Sequence, residues 1–256
     1  MSFFNKVLAS VGIGAATVDT ILEKEEVIPG EEIKGIVNIH GGNTEQRIDN
    51  IYLTINTKYV KEINDKKSYV TVPIEKFQLA AAFTLDASER REIPFSFHLP
   101  LDTPITLGRT KVWVTTGLDI KNAVDPSDKD FINVVPNQLL HGVMNSLSVL
   151  GFRLHEVECE QASYRMRKRL PFIQEFEFVP ITGYFRGRLD ELELIFMPTS
   201  NTNADLWFQV DRKPRGLGGF LSEALEMDET NLRLSVSIHD LPTLTAKLES
   251  VIQKYS

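Results

Sequence analysis

The sequence has little cysteine, little histidine and no long apolar run. Cys159 is the single cysteine among 256 residues, so an intramolecular disulfide is excluded. Because disulfide frameworks mark oxidising compartments, and because Asp and Glu exceed Lys and Arg, we expect a cytoplasmic protein. The sequence contains no stretch of the roughly 18 apolar residues that a membrane-spanning helix requires.

Several catalytic motifs are also missing. The sequence contains no phosphate-binding loop, no dinucleotide-binding fingerprint and no Gly-x-Ser-x-Gly nucleophile elbow. Its five histidines do not lie at metal-ligand spacing from one another or from Cys159. These absences argue against the common hydrolases, nucleotide-dependent enzymes and zinc enzymes. We therefore expect a protein without catalytic residues or cofactors.

The formal net charge of −7 argues against a further class of function. A general nucleic-acid binder needs a positive field to displace counterions, and this chain is acidic overall. We therefore expect no nucleic-acid partner. With 42% apolar and 25% charged residues, the composition is that of an ordinary folded protein. Its length accommodates two β-sandwiches of about 100–130 residues each.

The dominant positive feature is the alternation of apolar and polar residues, which is typical of strands with one buried face. One alternating pattern occurs twice. Residues 47–55 and 188–196 both begin with Arg, an aliphatic residue and Asp, and both continue with apolar residues at alternate positions. Two similar strands in two halves of the chain predict two related β domains in tandem. A chance match between two strands is the alternative interpretation.

We predict a domain boundary after residue 136, so that the first β-sandwich covers residues 1–136 and the second covers residues 137–256. Residues 139–150 carry apolar side chains at helical spacing, and Gly151 suits the end of a helix. This segment is predicted to be a short helical linker. The fold class is thus all-β, with two tandem immunoglobulin-type sandwiches and a helix at each terminus.

The two terminal helices are predicted from apolar stripes. The N-terminal stripe consists of Phe3, Phe4, Val7 and Leu8, and the C-terminal one includes Leu244, Leu248, Val251 and Ile252. Packing against the body of the same protein is the favoured interpretation of both stripes. For the N-terminal stripe, the alternative is docking on a membrane surface or in the groove of a partner. For the C-terminal helix, the alternative is partner binding or self-association.

The densest positive charge lies in one short segment. Arg165, Arg167, Lys168 and Arg169 surround Met166, and four cations so close together suit a phosphorylated or acidic partner. These four residues are the candidate partner-binding site. The alternative is a solvated hairpin tip that prevents a sheet edge from pairing with other chains.

The best metal candidate is an acidic segment with Asp119, Asp125, Asp128 and Asp130. Carboxylates are ligands that Ca²⁺ prefers, but the spacing is not that of an EF-hand and the glycine of its sharp turn is missing. A solvated acidic loop is the favoured interpretation, and we predict no metal site. Calcium binding here would instead support a Ca-dependent or carbohydrate-active β-sandwich enzyme.

Three segments resemble the N-domain of arrestins. They are the Pro29-Gly30-Glu31 turn with the strand that follows it, the aromatic strand at residues 93–100, which ends in Leu-Pro, and the strand at residues 111–114. The resemblance implies an arrestin-like sandwich. It does not extend to the charged inter-domain core or the receptor-binding finger loop of visual arrestins. Neither phosphate triggering nor receptor binding is therefore implied.

The chain as a whole resembles the bacterial stage-zero sporulation-control proteins of the M type. The resembling blocks are residues 18–20, 115–120, 123–126 and 187–193. The resemblance implies two arrestin-like sandwiches and a non-enzymatic regulator of endospore formation. Such a regulator would be an adaptor for other proteins, with looser links to cell division and the cytoskeleton. Homodimerisation is left open, and a peripheral membrane protein anchored by the N-terminal helix is a further alternative.

Overall fold

A computed structural model describes residues 16–63, 66–120, 125–211 and 231–254. The N-terminal stripe of Phe3, Phe4, Val7 and Leu8 lies outside these ranges. The described part is predominantly β, as the alternating pattern predicted. None of the helices in these ranges has both the length and the apolar character needed to cross a membrane.

Within the described ranges, nine strands precede residue 136. They are β1 (Thr17–Leu22), β2 (Glu26–Val27), β3 (Glu32–His40), β4 (Gln46–Ile63), β5 (Lys66–Ala80), β6 (Phe83–Leu85), β7 (Arg90–His98), β8 (Val112–Ile120) and β9 (Ser127–Val134). Helix α1 (Gln138–Val149) follows. The second half contains β10 (Phe152–Gln161), β11 (Phe172–Pro180), β12 (Glu191–Pro198), β13 (Asn203–Asp211), β14 (Asn231–Ser237), a 3-10 helix (Ile238–Thr243) and α2 (Leu244–Gln253).

The strands of the described residues form two sheets. The smaller has the order β1-β3-β7, and the larger has the order β14-β13-β12-β11-β10-β4-β8-β9-β2, with β5 and β6 also paired to β4. Strand β4 joins the two halves of the chain, because Val60 pairs with Glu160 of β10 in a short parallel bridge. We refer to this junction between residues before and after 136 as the seam.

The repeated pattern appears in β4 and β12. Ile51 and Leu53 of β4 are fully buried, and so are the corresponding Leu192 and Leu194 of β12. The correspondence does not include the first three residues of the pattern. Residues 47–49 lie within β4, whereas β12 begins only at Glu191.

Residues 61–67 form a polar run that by itself suggests a turn, but strand pairing extends into this run from both sides. Strand β4 continues to Ile63 and β5 begins at Lys66, and the antiparallel register between the two strands is uninterrupted from Asn56 to Ile63. The first four residues of β5 are exposed. Because this end of the hairpin has no buried face, its sequence lacks the alternation that marks a strand.

Helix α1 occupies most of the predicted linker segment. Asn137 caps its first turn, since its side-chain oxygen accepts a hydrogen bond from the Leu140 N–H at 2.9 Å. Gly151 follows the helix with a φ of +94°, a conformation that glycine adopts without the steric cost of a Cβ. The chain can therefore leave the helix and enter β10 directly.

Helix α2 packs on the body of the protein. Leu244, Leu248 and Ile252 are fully buried, and the Thr245 hydroxyl donates to the Ser146 hydroxyl of α1 at 3.1 Å. The same hydrophobic core includes residues from both sheets, from both halves of the chain and from both helices. The seam is therefore an apolar contact as well as a strand pairing.

Candidate interaction site

The candidate partner-binding residues lie in the loop between β10 and β11, residues 162–171, which we call the basic loop. The Ala162 N–H donates to the carbonyl of Pro171 at 3.0 Å and closes the loop. Inside it, the Arg167 N–H donates to the carbonyl of Ser163 at 2.9 Å and forms a turn. The loop therefore has internal hydrogen bonds that hold its shape.

Met166 anchors the basic loop to the sheet. Its side chain is buried in a small apolar cluster with Ala162, Ile173 and Ile195. Because Met166 points inward, its neighbours are left in solvent. Within the described part of the chain, no hydrogen bond or ion pair engages the exposed side chains of Arg165, Arg167 and Lys168.

Arg169 has a different environment from the other three cations. Its guanidinium donates to the carboxylate of Asp102 through Nε at 3.1 Å, and it also binds Glu75 at 3.1 Å and the carbonyl of Ile74. All three partners belong to the first half of the chain. Arg169 therefore joins the two halves, and the exposed positive charge comes from Arg165, Arg167 and Lys168.

A cavity of about 110 Å³ opens beside the basic loop, at the seam. Leu101 and Thr103 of the first half form one wall, while Met166, Lys168 and Phe172 of the second half form another. The cavity lining is mostly apolar. Thr103 contributes a buried hydroxyl that has no hydrogen-bond partner.

Gln174 holds the segment between β7 and β8, residues 99–111, against the second half. Its side-chain oxygen accepts from the Ile105 N–H at 2.9 Å, and its amide nitrogen donates to the Ile105 carbonyl at 2.8 Å. The same nitrogen donates to the Thr110 hydroxyl at 3.1 Å. One side chain thus fixes the wall segment that carries Thr103.

The face of the second-half sheet that lies opposite the core carries many carboxylates, and we call it the acidic face. Glu158 pairs directly with Glu175, and Glu177 pairs with Glu193. First-half groups reach this face at one end: the Tyr69 hydroxyl donates to Glu158 at 2.8 Å, and Arg109 lies 2.7 Å from a Glu156 oxygen. These contacts are a second set of polar contacts across the seam.

Burial changes the acidity of these carboxyl groups. It raises the pKa of Glu160 to about 7, with further contributions from the negative charges of Glu158 and Glu156, although Lys67 opposes the shift. Burial and the neighbouring Glu193 raise the pKa of Glu175 well above its ordinary value. The acidic face therefore holds protons at pH values where exposed glutamates are ionised.

The four aspartates of the predicted acidic segment have separate roles. Asp128 accepts a hydrogen bond from the Thr20 N–H at 2.8 Å, and Asp125 accepts one from the Ile120 N–H at 2.9 Å. Burial, with hydrogen bonding and charge from Asp128, raises the pKa of Asp130 to about 7, while Asp119 is exposed. Across the described ranges, no three His, Cys, Asp or Glu side chains are arranged to hold a metal ion.

Cys159 is a buried core residue. Its sulfur lies 3.7 Å from the Thr110 hydroxyl, and burial raises the pKa of the thiol to about 12. A thiol with so high a pKa is not a nucleophile at neutral pH. Cys159 therefore acts as a small buried hydrophobe.

Comparison with known proteins decides the family. A model of the SpoOM protein family matches residues 4–214. The chain belongs to this family. The sporulation-control protein spo0M of Bacillus subtilis (strain 168) is 45% identical to this chain over 261 residues, and the match covers all of both chains. The crystal structure of Spo0M from Bacillus subtilis is 44% identical and superposes with a TM-score of 0.90, covering 95% of this chain and all of that one.

These matches confirm the family resemblance that the sequence blocks suggested. In this SpoOM-family chain, no sequence pattern predicts the contacts across the seam. Arg169 was predicted to bind a partner, and its two carboxylate partners lie far away in sequence, at positions 75 and 102. The cavity at the seam has no sequence signal either, since its walls come from distant segments that are each ordinary core sequence.

Proposed function

We propose that this member of the SpoOM family is a cytoplasmic, non-enzymatic regulator of endospore formation that acts by binding other proteins. Its 45% identical relative, which it matches over its full length, is named a sporulation-control protein. Division or cytoskeletal proteins are the partner class that the family resemblance favours. The adaptor mechanism is inferred from the surface of the molecule.

The architecture proposed for this function is a tandem pair of arrestin-like sandwiches that meet at the seam. The β-rich fold supports this architecture, as does the placement of α1 directly after residue 136. A continuous core and several polar contacts across the seam favour a rigid body. A rigid body presents its loops in fixed positions, which lowers the entropy cost of partner binding.

The observation that carries the proposal is the basic loop. Arg165, Arg167 and Lys168 are exposed and without ion pairs in the described part of a chain whose net charge is −7. Met166 holds the loop on the sheet, and the hydrogen bonds of Ser163 hold the shape of the loop. Exposed cations on a structured loop suit an acidic partner surface, because complementary charge steers association and excludes partners of the wrong sign.

The proposal is tested with the double variant Arg165→Glu, Arg167→Glu. Partners are captured by cross-linking and affinity purification from sporulating cells, with the intact protein and the variant compared side by side. We expect a discrete set of proteins with the intact chain and a loss of at least tenfold with the variant. The thermal midpoint should change little, because both side chains are exposed.

A matched control reverses two other exposed cations of the second half, Arg153 and Arg186. Arg153 lies in β10 at the end of the strand opposite to the basic loop, and Arg186 lies in the loop between β11 and β12. This control variant should capture the same proteins as the intact chain. Equal capture by all three proteins would refute a role for the basic loop.

A further inference from the structure

The cavity at the seam and the basic loop are parts of one surface. Lys168 and Met166 of the loop line the cavity, and Arg165 and Arg167 flank Met166 in the chain. Leu101 of the first half lines the cavity as well. A segment bound to Lys168 therefore lies beside the cavity.

The size of the cavity limits what it can hold. A volume of about 110 Å³ is well below the roughly 300–1,000 Å³ of sites for drug-sized ligands. It is suited to one large apolar side chain. The walls supply the contacts for such a side chain, since Leu101, Phe172 and Ile195 all line it. Apolar anchors in central pockets are the residues that contribute most to protein interfaces.

The uncompensated charge at the cavity mouth is positive. Asp102, an acidic residue of the lining, is already bound to Arg169. Asp205 lies near Lys168, but hydrogen bonds from Ser235 and Arg233 engage it and lower its pKa. Asp205 thus offsets Lys168 only in part, and within the described residues Arg165 and Arg167 form no ion pair, so an acidic partner would supply the missing carboxylates.

We infer that this surface binds an extended acidic segment of a partner protein, with one large apolar residue of that segment seated in the cavity. The apolar residue is Leu, Met or Phe, and Asp or Glu on either side of it lies against Arg165, Arg167 and Lys168. This inference rests on the proposed adaptor function and names the kind of partner that the basic loop recognises.

The test begins with selection from a displayed library of random 12-residue peptides on the intact full-length protein. Enriched peptides are expected to carry one large apolar residue flanked by acidic ones. In fluorescence anisotropy, replacing that apolar residue by Ala should weaken binding at least tenfold. Raising the salt concentration should also weaken binding, because part of the attraction is electrostatic.

Cavity variants decide whether the apolar residue occupies the predicted position. Leu101→Trp fills the cavity and should weaken binding of the selected peptide at least tenfold. Binding of the Ala-substituted peptide should not change further, since the two substitutions remove the same contact. Leu101→Phe adds less volume to the cavity and serves as the milder variant if Leu101→Trp fails to fold. Enrichment of peptides without the pattern, or no enrichment at all, overturns the inference.

The two proposals fail in different ways. If Arg165→Glu, Arg167→Glu abolishes capture from cells while both cavity variants bind partners and peptides normally, the adaptor function stands and the cavity inference is refuted. If neither the charge reversal nor the cavity variants change capture, the basic loop has no part in partner binding. In that case both proposals are refuted together.

Discussion

Glu160 shows how one residue can make the stability of this protein depend on pH. Its carboxyl is 4% exposed, stands at the parallel bridge between β4 and β10, and has one oxygen without a hydrogen-bond partner. Burial raises its pKa from 4.5 to about 7. Between these pH values the folded protein binds more protons than the unfolded chain, so stability falls as the pH rises.

We therefore expect Glu160→Gln to stabilise the protein above pH 7. The neutral amide avoids placing a charge at the buried seam, and the gain is about 1–3 kcal/mol at pH 8. The difference should shrink as the pH falls towards 4.5 and vanish well below it, where the glutamate carries a proton in both the folded and the unfolded states. Urea unfolding of both proteins at a series of pH values measures it.

Glu45→Gln is the matched control, because Glu45 is exposed between β3 and β4. Its stability should follow that of the intact protein at every pH. A Glu160→Gln curve that also runs parallel to the intact protein from pH 5 to pH 8 would show that Glu160 is charged and solvated in the fold. The proposed cause of the pH dependence would then be wrong.

At the scale of elements, the segment between β7 and β8 reaches the second half through a close backbone approach. Gly108 has a φ of +60°, and a Cβ at this position would lie 2.6 Å from the carbonyl oxygen of Val157. The next residue, Arg109, donates its N–H to that same carbonyl at 3.1 Å. Only glycine permits both the backbone conformation and the approach.

Gly108→Ala should accordingly destabilise the protein by about 2 kcal/mol or more, because a left-handed conformation costs a non-glycine residue about 1–2 kcal/mol and the added methyl group collides with β10. The free energy of unfolding in urea gives the measurement. Gly117→Ala is the control, since a Cβ added at this position in β8 would meet no atom within 4 Å. Equal stability of the two variants would contradict the close approach.

The sequence predicts elements well where burial is one-sided. Ile51 and Leu53 in β4 alternate with more exposed residues, and Leu139, Leu140, Val143 and Leu147 of α1 recur at helical spacing. Prediction fails where burial gives no pattern. The end of the β4–β5 hairpin is exposed, so its residues look like a turn. The acidic face is buried although it consists of glutamates, a residue type that is typical of exposed positions.

At the scale of the whole molecule, the candidate site is hidden from sequence analysis because it is assembled across the seam. Residues 165–168 predict a charged loop by themselves, but the cavity beside them requires Leu101 and Thr103 from the other half. Gln174 and Arg169, which hold that wall in place, bind groups more than sixty residues away. Pairings over such separations depend on the completed fold and leave no local pattern.

The seam also determines how the molecule unfolds. Two domains with a polar, weakly packed contact would unfold in separate transitions, whereas one continuous core unfolds cooperatively. Here the core extends through both halves, and Gln174 joins them through three hydrogen bonds. We expect a single thermal transition, with a calorimetric enthalpy equal to the van't Hoff enthalpy.

The two tryptophans allow this expectation to be tested for each half. Trp113 lies in β8 and Trp207 in β13, so Trp113→Phe and Trp207→Phe each leave one fluorescent reporter, in opposite halves. In each variant the fluorescence midpoint should coincide with the circular-dichroism midpoint of the whole fold. Adding Gln174→Leu should lower both midpoints together. The free energy of unfolding should fall by about 1–3 kcal/mol, because buried groups are left unpaired. Gln78→Leu, which removes an exposed hydrogen bond to Asn50, should change them little. If the Trp113 signal and the Trp207 signal instead had different midpoints, the two halves would be independent domains. The rigid body proposed for partner binding would then have to be abandoned.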